Sequence, residues 1–358
     1  MLQIQKQIRE HGLDAIVEKY LLSKRSHSKY PNLHLLKYDI FSPMGEKAVQ
    51  ECRGIILDEK DDWKVVCRTL DKFFNLHEGH AAQIDWVTAR VLEKLDGSLV
   101  QMYWYDGEWQ FATSGSPDAG GLVHESGMTF NELIRTVFNE LDYNYPEATD
   151  ICFAFELITK YNKIVVDYKG VNRLVLLGAR NRINGNEFDP GEIVGLLGLK
   201  YEVVKTYDEL NSLDQIKANI ETINGTESEG YVVVDAQYNR VKIKAPHYVA
   251  IHRLRGEYFN KKRALEMILI GETSEVLTYF PEWTDEIREV ENKLNEFKHV
   301  CETAYLAYKD IESQKDFALR VKDYPIPGIF FAMRKGKTFD EVVRDVNIKS
   351  LVSVLGLE

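Results

Sequence analysis

Apolar positions follow two different patterns along this chain. Up to about residue 250 they come in short runs bounded by turn residues. Residues 99–114, LVQMYWYDGEWQFATS, place aromatics on both sides of Asp106-Gly107, which predicts a β-hairpin. Further β-rich runs follow at 151–158 (ICFAFELI), 163–168 (KIVVDY), 173–179 (RLVLLGA), 230–236 (GYVVVDA) and 240–245 (RVKIKA). Between them, 130–141 (FNELIRTVFNEL) reads as an amphipathic helix. Strands and helices that do not alternate strictly predict an α+β domain with largely antiparallel sheets.

Beyond residue 250 the period changes. Ile287, Val290, Leu294, Phe297, Cys301, Ala304, Tyr308 and Ile311 recur at steps of three and four, one apolar stripe along a long helix. Thr338 and Glu341 fit a capping box that opens another helix through Val343 and Val346, and Pro325-Ile326-Pro327-Gly328 separates the two. The expected division is residues 1–250 and a helical domain at 251–358.

Composition narrows the class. With 358 residues, 44% hydrophobic and 28% charged, the chain is globular and large enough for one big domain or two ordinary ones. No run approaches the ~18 apolar residues of a membrane span, and MLQIQKQIREHGLD has no secretory apolar core, so export is not expected. Cys52, Cys67, Cys152 and Cys301 lack metal-site spacing and read as free thiols of a reducing cytoplasm. A net charge of −11 excludes coating nucleic acid by bulk electrostatics. Yet Arg240, Lys242, Lys244, Arg253, Arg255, Lys261, Lys262 and Arg263 stand against one acid, Glu257, a basic strip suited to binding phosphates in a groove or simply a solvated face. Nothing in the pattern demands more than a monomer.

The candidate chemistry starts at Lys94, in K-L-D-G with Asp96 and Gly97. An amine that attacks phosphorus must be neutral, which burial and neighbouring cations favour. Attack on an α-phosphate also needs positive charge on the phosphates, from cationic side chains or a divalent metal held by carboxylates. The chain offers Arg53 in ECRGI, Lys72 in DKFFNLHE, Glu156 in FAFELI, Glu229 in ESEGYVVV, and Lys242 with Lys244 in VKIKAPHYV. The i, i+2 spacing of the last pair puts both on one face of a strand. Singly, each residue reads as well as a surface ion pair, an apolar stem with its charge in water, or an edge-strand guard. Together they suit a nucleoside triphosphate.

The order ECRG, KFFN, KxDG, FEL, EGYV and KIK, from Glu51 to Tyr248, resembles the covalent nucleotidyltransferases and, through ECRGI followed by KFFNLHE, the phage-type RNA ligase 1 family. The resemblance implies an antiparallel-sheet, ATP-grasp-like ligase domain carrying adenylyltransferase activity, with ATP and Mg²⁺ (Mn²⁺ as a substitute). It implies RNA with 5′-phosphate and 3′-hydroxyl ends as partner, single-stranded or a nicked tRNA loop. Lys94 would become lysyl-AMP. Asp96 and Gly97 would shape its loop. Arg53 and Lys72 would contact phosphates, and Glu93 and Tyr248 would line the nucleotide site. Glu156 and Glu229 would hold the metal through waters or directly, with Glu156 also able to bind the ribose. Lys242 and Lys244 would grip the α-phosphate. One departure stands out: Ser114 occupies a position where the family tends to carry a cation, leaving Arg180 or Arg182 as replacements. DNA ligases and guanylyltransferases share K-x-D-G but usually append a β-barrel, against the helical pattern here. A non-catalytic RNA-binding relative would not need the intact lysines. No P-loop motif is present.

Overall fold

The computed structural model describes residues 1–39, 42–123, 126–249, 260–270, 273, 277 and 283–357. The chain divides into two units, Met1–Arg253 and Leu254–Glu358.

In the first unit, alternating apolar positions build three sheets. The N-terminal sheet runs β1 (Leu22–Ser26), β2 (Leu33–Tyr38), β3 (Arg53–Asp58), β4 (Lys64–Cys67). The central sheet has the order β13 (Glu187–Phe188), β12 (Arg173–Asn181), β11 (Ile151–Ile158), β7 (Ser98–Tyr105), β8 (Glu108–Thr113), with β14 (Glu202–Val203) beside β12. The third has the order β5 (Phe74–Asn75), β16 (Arg240–Lys244), β15 (Gly230–Val234), β6 (Arg90–Glu93). A small ladder pairs β9 (Leu122–Val123) with β10 (Met128–Thr129). Pairing is antiparallel except at β12–β14 and β5–β16.

The layers follow from which faces are apolar. Helices α1 (Gln3–His11), α2 (Leu13–Lys19) and α3 (Lys47–Gln50) cover one face of the N-terminal sheet through Ile4, Ile8, Ile16 and Val49. Its other face, with Leu33, Leu35, Ile56 and Val66, meets Tyr103, Ala112 and Cys152 of the central sheet. The far face of the central sheet packs on α4 (Phe130–Glu140) and α5 (Pro190–Leu197). In α4 the apolar positions Leu133, Ile134, Val137 and Phe138 are all buried, each worth roughly 1.5–3 kcal/mol. Leu92 and Val234 of the third sheet join Ile158 and Val175 of the central one. Helix α6 (Leu213–Ile220) precedes β15.

The hairpin forms as its turn dipeptide predicts: Asp106 and Gly107 both have positive φ, 49° and 81°, the primed turn that matches strand twist. The segment 163–168 does not form the predicted strand. Its apolar run is explained by Asp96: the Val165 and Val166 amides donate to one carboxylate oxygen of Asp96 at 2.8 Å, so they have no need of a neighbouring strand.

The second unit is helical: α7 (Lys261–Ile270), α8 (Thr284–Tyr308), α9 (Gln314–Val321), α10 (Gly328–Arg334), α11 (Phe339–Asp345) and α12 (Ile348–Val354). Ile287, Val290, Phe297, Cys301 and Ala304 form the buried stripe of α8. Its core also takes Phe317, Phe330 and Phe339. The capping box closes as predicted, Glu341 N donating to Thr338 and Thr338 N donating to Glu341 at 2.6 Å. The separate helix α9, before the proline cluster, was not foreseen. Among the described residues no helix is long and apolar enough to cross a membrane. All four cysteines are free and buried.

Candidate active site

Lys94 follows directly on β6, and its backbone N–H donates to the carbonyl of Gly230 on β15 at 2.9 Å. The next turn is held from several directions. The Asp96 carboxylate, almost fully buried, accepts from Val165 and Val166 on one oxygen and from the Tyr248 hydroxyl at 2.7 Å on the other, while the Asp96 amide donates to the Tyr168 hydroxyl at 2.9 Å. Gly97 donates to Glu156 at 3.0 Å. A β-carbon on Gly97 would run into the Leu157 carbonyl, so only glycine fits. The aspartate and glycine of K-x-D-G thus anchor and admit the loop that carries the lysine.

Glu229 lies just before β15. Gly230 has a φ of 132°, and a side chain there would collide with the Ile243 carbonyl of β16, so the turn that delivers Glu229 also requires glycine. The Glu229 carboxylate meets Lys94 Nζ at 2.5 Å and Lys244 Nζ at 3.8 Å. Glu156, on β11, lies half-buried beside the same amine. Burial pushes its carboxyl up to about 7, against the opposing pull of Lys94 and with Glu229 adding to the rise.

The cations converge on Lys242. Burial first, then the charges of Lys72, Lys94, Arg53 and Lys244, hold its amine well below the ordinary lysine range. Arg53 lies over the Phe73 ring at 4.6 Å, with Lys242 Nζ 5.4 Å from the same ring. Lys72 lies against Tyr38 and Phe74, at 4.7 and 5.3 Å. Arg53 and Lys72 make no carboxylate contact among the described residues. The fold therefore brings together Lys94, Arg53, Lys72, Glu156, Glu229, Lys242 and Lys244, with Asp96, Gly97 and Tyr248 beneath them.

Glu93 is set apart. Burial raises its carboxyl, and the charges around it are Arg173, Lys205 and Glu202 rather than the lysine cluster. Ser114 sits beside Gly54, next to Arg53. Neither suggested replacement joins the cluster freely. Arg180 is paired with Asp71 at 3.1 Å and with Glu187, and Arg182 lines a different cavity with Met1, Lys64 and Arg68. The basic strip is divided between the two units, and several of its charges are paired. Arg240 pairs with Glu187 at 2.6 Å, and Lys261 pairs with Glu289 at 2.7 Å. Lys262 and Arg263 flank Glu266. Arg253, Arg255 and Glu257 lie outside the described residues.

Two contributors had no signal in the sequence. Gln101, fully buried on β7, donates to the Gly54 carbonyl at 2.7 Å and accepts from Thr69 at 2.7 Å, which ties the strand bearing Arg53 to the segment leading to Lys72. Phe73 supplies the ring between two cations. Only the KFFN run hinted at it.

Among the described residues no cluster of three or more His, Cys, Asp or Glu side chains could hold a metal alone. Glu156 and Glu229 fit a Mg²⁺ that keeps most of its waters and shares substrate phosphates, the usual binding mode of that ion.

The model of a family described as RNA ligase matches residues 51–248. A protein of Autographa californica nuclear polyhedrosis virus, named as a bifunctional polynucleotide kinase/RNA ligase, is 27% identical over 95% of this chain and 50% of its own length. An RNA ligase of Rhodothermus phage RM378 is 26% identical over 85% of each. The chain thus spans half the length of the first relative and most of the second. Among solved structures, an archaeal ATP-dependent RNA ligase covers 93% of this chain and 81% of its own, at 13% identity and a TM-score of 0.48.

Proposed function

Because this chain belongs to the phage-type RNA ligase 1 family, we propose that it is an ATP-dependent RNA ligase whose adenylyltransferase unit is Met1–Arg253. One observation carries the reading: a half-buried lysine, Lys242, against the Phe73 ring that Arg53 also covers, with Lys72, Lys94 and Lys244 charging the same site. Five cations gathered around two carboxylates, Glu156 and Glu229, raise the free energy of the empty site, and a bound polyphosphate relieves it.

The steps follow from the residues. Lys94 Nζ gives up a proton, with the Glu229 carboxylate in contact to receive it. Its lone pair then attacks the α-phosphorus of ATP. The P–O bond to pyrophosphate breaks, and pyrophosphate leaves with the electron pair, giving lysyl-AMP. Lys242, Lys244, Arg53 and Lys72 offset the charge that builds on the phosphates. In the second step an oxygen of an RNA 5′-phosphate attacks the AMP phosphorus and the P–N bond breaks. The amine regains its proton, and a 5′–5′ adenylated end results. In the third, an RNA 3′-hydroxyl attacks the phosphorus of that end, closing a phosphodiester and releasing AMP. Mg²⁺, held by Glu156 and Glu229 largely through water, would supply further charge neutralisation at phosphate oxygens.

Incubation with ATP labelled at the α-phosphate, followed by denaturing electrophoresis, tests the first step: the protein takes label from ATP and not from GTP. A joining assay with 5′-phosphate, 3′-hydroxyl strands of RNA and DNA tests the acceptor, and RNA is expected to be joined in preference. Label from GTP alone, or none, overturns the reading.

A further inference from the structure

A cavity of about 250 Å³ lies among β4, the start of α1 and the turn that joins β12 to β13. It shares none of the residues gathered around Lys94. Four cations line it, Lys64, Arg68, Arg180 and Arg182, and its described lining holds no carboxylate and no aromatic ring. The acids that meet these cations lie outside the lining. Lys64 reaches Asp61 at 2.9 Å. Arg68 and Arg180 share Asp71, at 2.6 and 3.1 Å, and Arg180 also meets Glu187. Asp71 and Glu187 serve Lys47 and Arg240 as well, so the arginines are not neutralised one for one.

Arg182 differs from the other three. It is half-buried and makes no ion pair among the described residues. Its Nε is closed to water and has no acceptor, as is the Nε of Arg180. Its backbone is braced. The Arg182 amide donates to the Asp150 carbonyl at 2.9 Å. The Asn181 side chain donates to the Asp150 carboxylate at 2.6 Å and accepts from the amides of Ile183 and Asn184. A fixed turn thus holds an uncompensated guanidinium at the wall of a cavity that is already positive. Donors without acceptors are costly when buried, and like charges gathered at one cavity repel. A group with several anionic oxygens relieves both. Arginine forks match phosphate oxygens in pairs, where lysine offers a point charge, so a wall of three arginines suits phosphate. Without a ring to stack on, such a cavity takes the phosphate and not a base.

We propose that this cavity is a second phosphate-binding site, separate from the lysine cluster, with Arg182 as its principal contact and Arg68, Arg180 and Lys64 adding charge. The phosphate is a free anion or a backbone group of a nucleic acid, and the recognising chemistry is the same for both. The inference stands apart from the ligase reading, because the two sites have no residue in common.

Isothermal titration calorimetry of the full chain with inorganic phosphate, at constant ionic strength, tests the free form. It is run on the wild type and in a Lys242→Met background, which weakens the competing cluster beside Lys94. In that background Arg182→Gln should weaken phosphate binding about tenfold, and Arg182→Lys about threefold, because the charge stays and the fork is lost. Fluorescence anisotropy with a single-stranded RNA oligonucleotide bearing a 5′-hydroxyl tests the polymeric form. There Arg182→Gln should weaken binding and lower the salt slope by about 1. Lys64→Ala, at an exposed position, should move the responding affinity in the same direction about twofold and guards against misfolding of the Arg182 variants. A response with phosphate alone assigns a free anion, and a response with RNA assigns the backbone; either sustains the site. Unchanged affinity for both probes makes Arg182 a structural residue and overturns the proposal. Loss of ATP labelling in Arg182→Gln, in step with phosphate affinity, makes the cavity part of the Lys94 site and also overturns it. If the wild type takes no label from ATP yet binds phosphate in an Arg182-dependent way, the cavity stands and the ligase reading falls.

Discussion

Two charges flank Lys94, Asp96 buried and Lys242 half-buried, and their surroundings are opposite. Asp96 is a single negative charge supplied with everything it needs: two amides on one oxygen and a hydroxyl on the other. Lys242 is a positive charge ringed by four more. The first region is complete before any substrate arrives. The second is completed only by one. A site that must hold a nucleophile still and yet respond to a polyanion separates the two tasks spatially. On the proposed reading the satisfied aspartate would fix geometry and the unsatisfied lysine would provide the pull. Pre-organisation on one side limits what reordering costs at the moment of reaction, and electrostatic strain on the other makes binding favourable.

The comparison can be broken most completely at the residue both regions serve. Lys94→Ala should reduce protein labelling from ATP to background, with the circular dichroism spectrum unchanged. Label surviving on another lysine would remove Lys94 as the nucleophile.

Lys242→Met comes next, and it separates stability from activity. Adenylation should fall by about 10²–10³, the usual loss on removing one preorganised charge stabiliser. The same variant should be more stable than wild type by about 1 kcal/mol, because an apolar side chain replaces a half-buried charge crowded by like charges. The pH dependence has a definite sign. The folded-state pKa of Lys242 is depressed below its ordinary 10.5. Between the two values the unfolded chain binds more protons, so wild-type stability rises with pH there. The advantage of the variant in urea unfolding should therefore shrink as the pH rises toward 10.5. A wild type that is the more stable protein at pH 7 would contradict the picture of an unmatched charge.

Asp96→Asn acts on the satisfied side. An amide cannot serve all three donors, so one is left buried and unpaired, at a cost of about 1–3 kcal/mol. Its melting temperature should fall, and labelling should slow in parallel as the Lys94 loop loosens. Tyr248→Phe is the mildest change. It removes one of the three donors to Asp96, with an expected loss of about 1 kcal/mol and a labelling rate lowered only a few-fold. A larger effect from Tyr248→Phe than from Asp96→Asn would mean that the tyrosine hydroxyl serves the site beyond its bond to Asp96.

Much of this is legible in the sequence where the physics is local. The Asp106-Gly107 turn, the Thr338–Glu341 box and the stripe from Ile287 to Ala304 each depend on residues within a few positions of one another, and each forms. The shared face of Lys242 and Lys244 follows from strand alternation alone. The failures are long-range. Residues 163–168 have the composition of a strand, but their amides are claimed by a carboxylate some seventy positions earlier. Gln101 looks like any polar residue of a hairpin until Gly54 and Thr69 are folded against it. The spacing of the cations predicted a cluster around Lys94. Only the fold shows that Lys94 rests on Glu229 and that the crowding falls on its neighbour Lys242.

The crowded lysine has a practical corollary for the bench. Surplus positive charge does not discriminate among multivalent anions, so inorganic phosphate, sulfate or heparin in a buffer would sit where ATP should. Turnover measured in phosphate-buffered solution would understate what the protein achieves in a zwitterionic one, and pyrophosphate left to accumulate would drive the first step backwards.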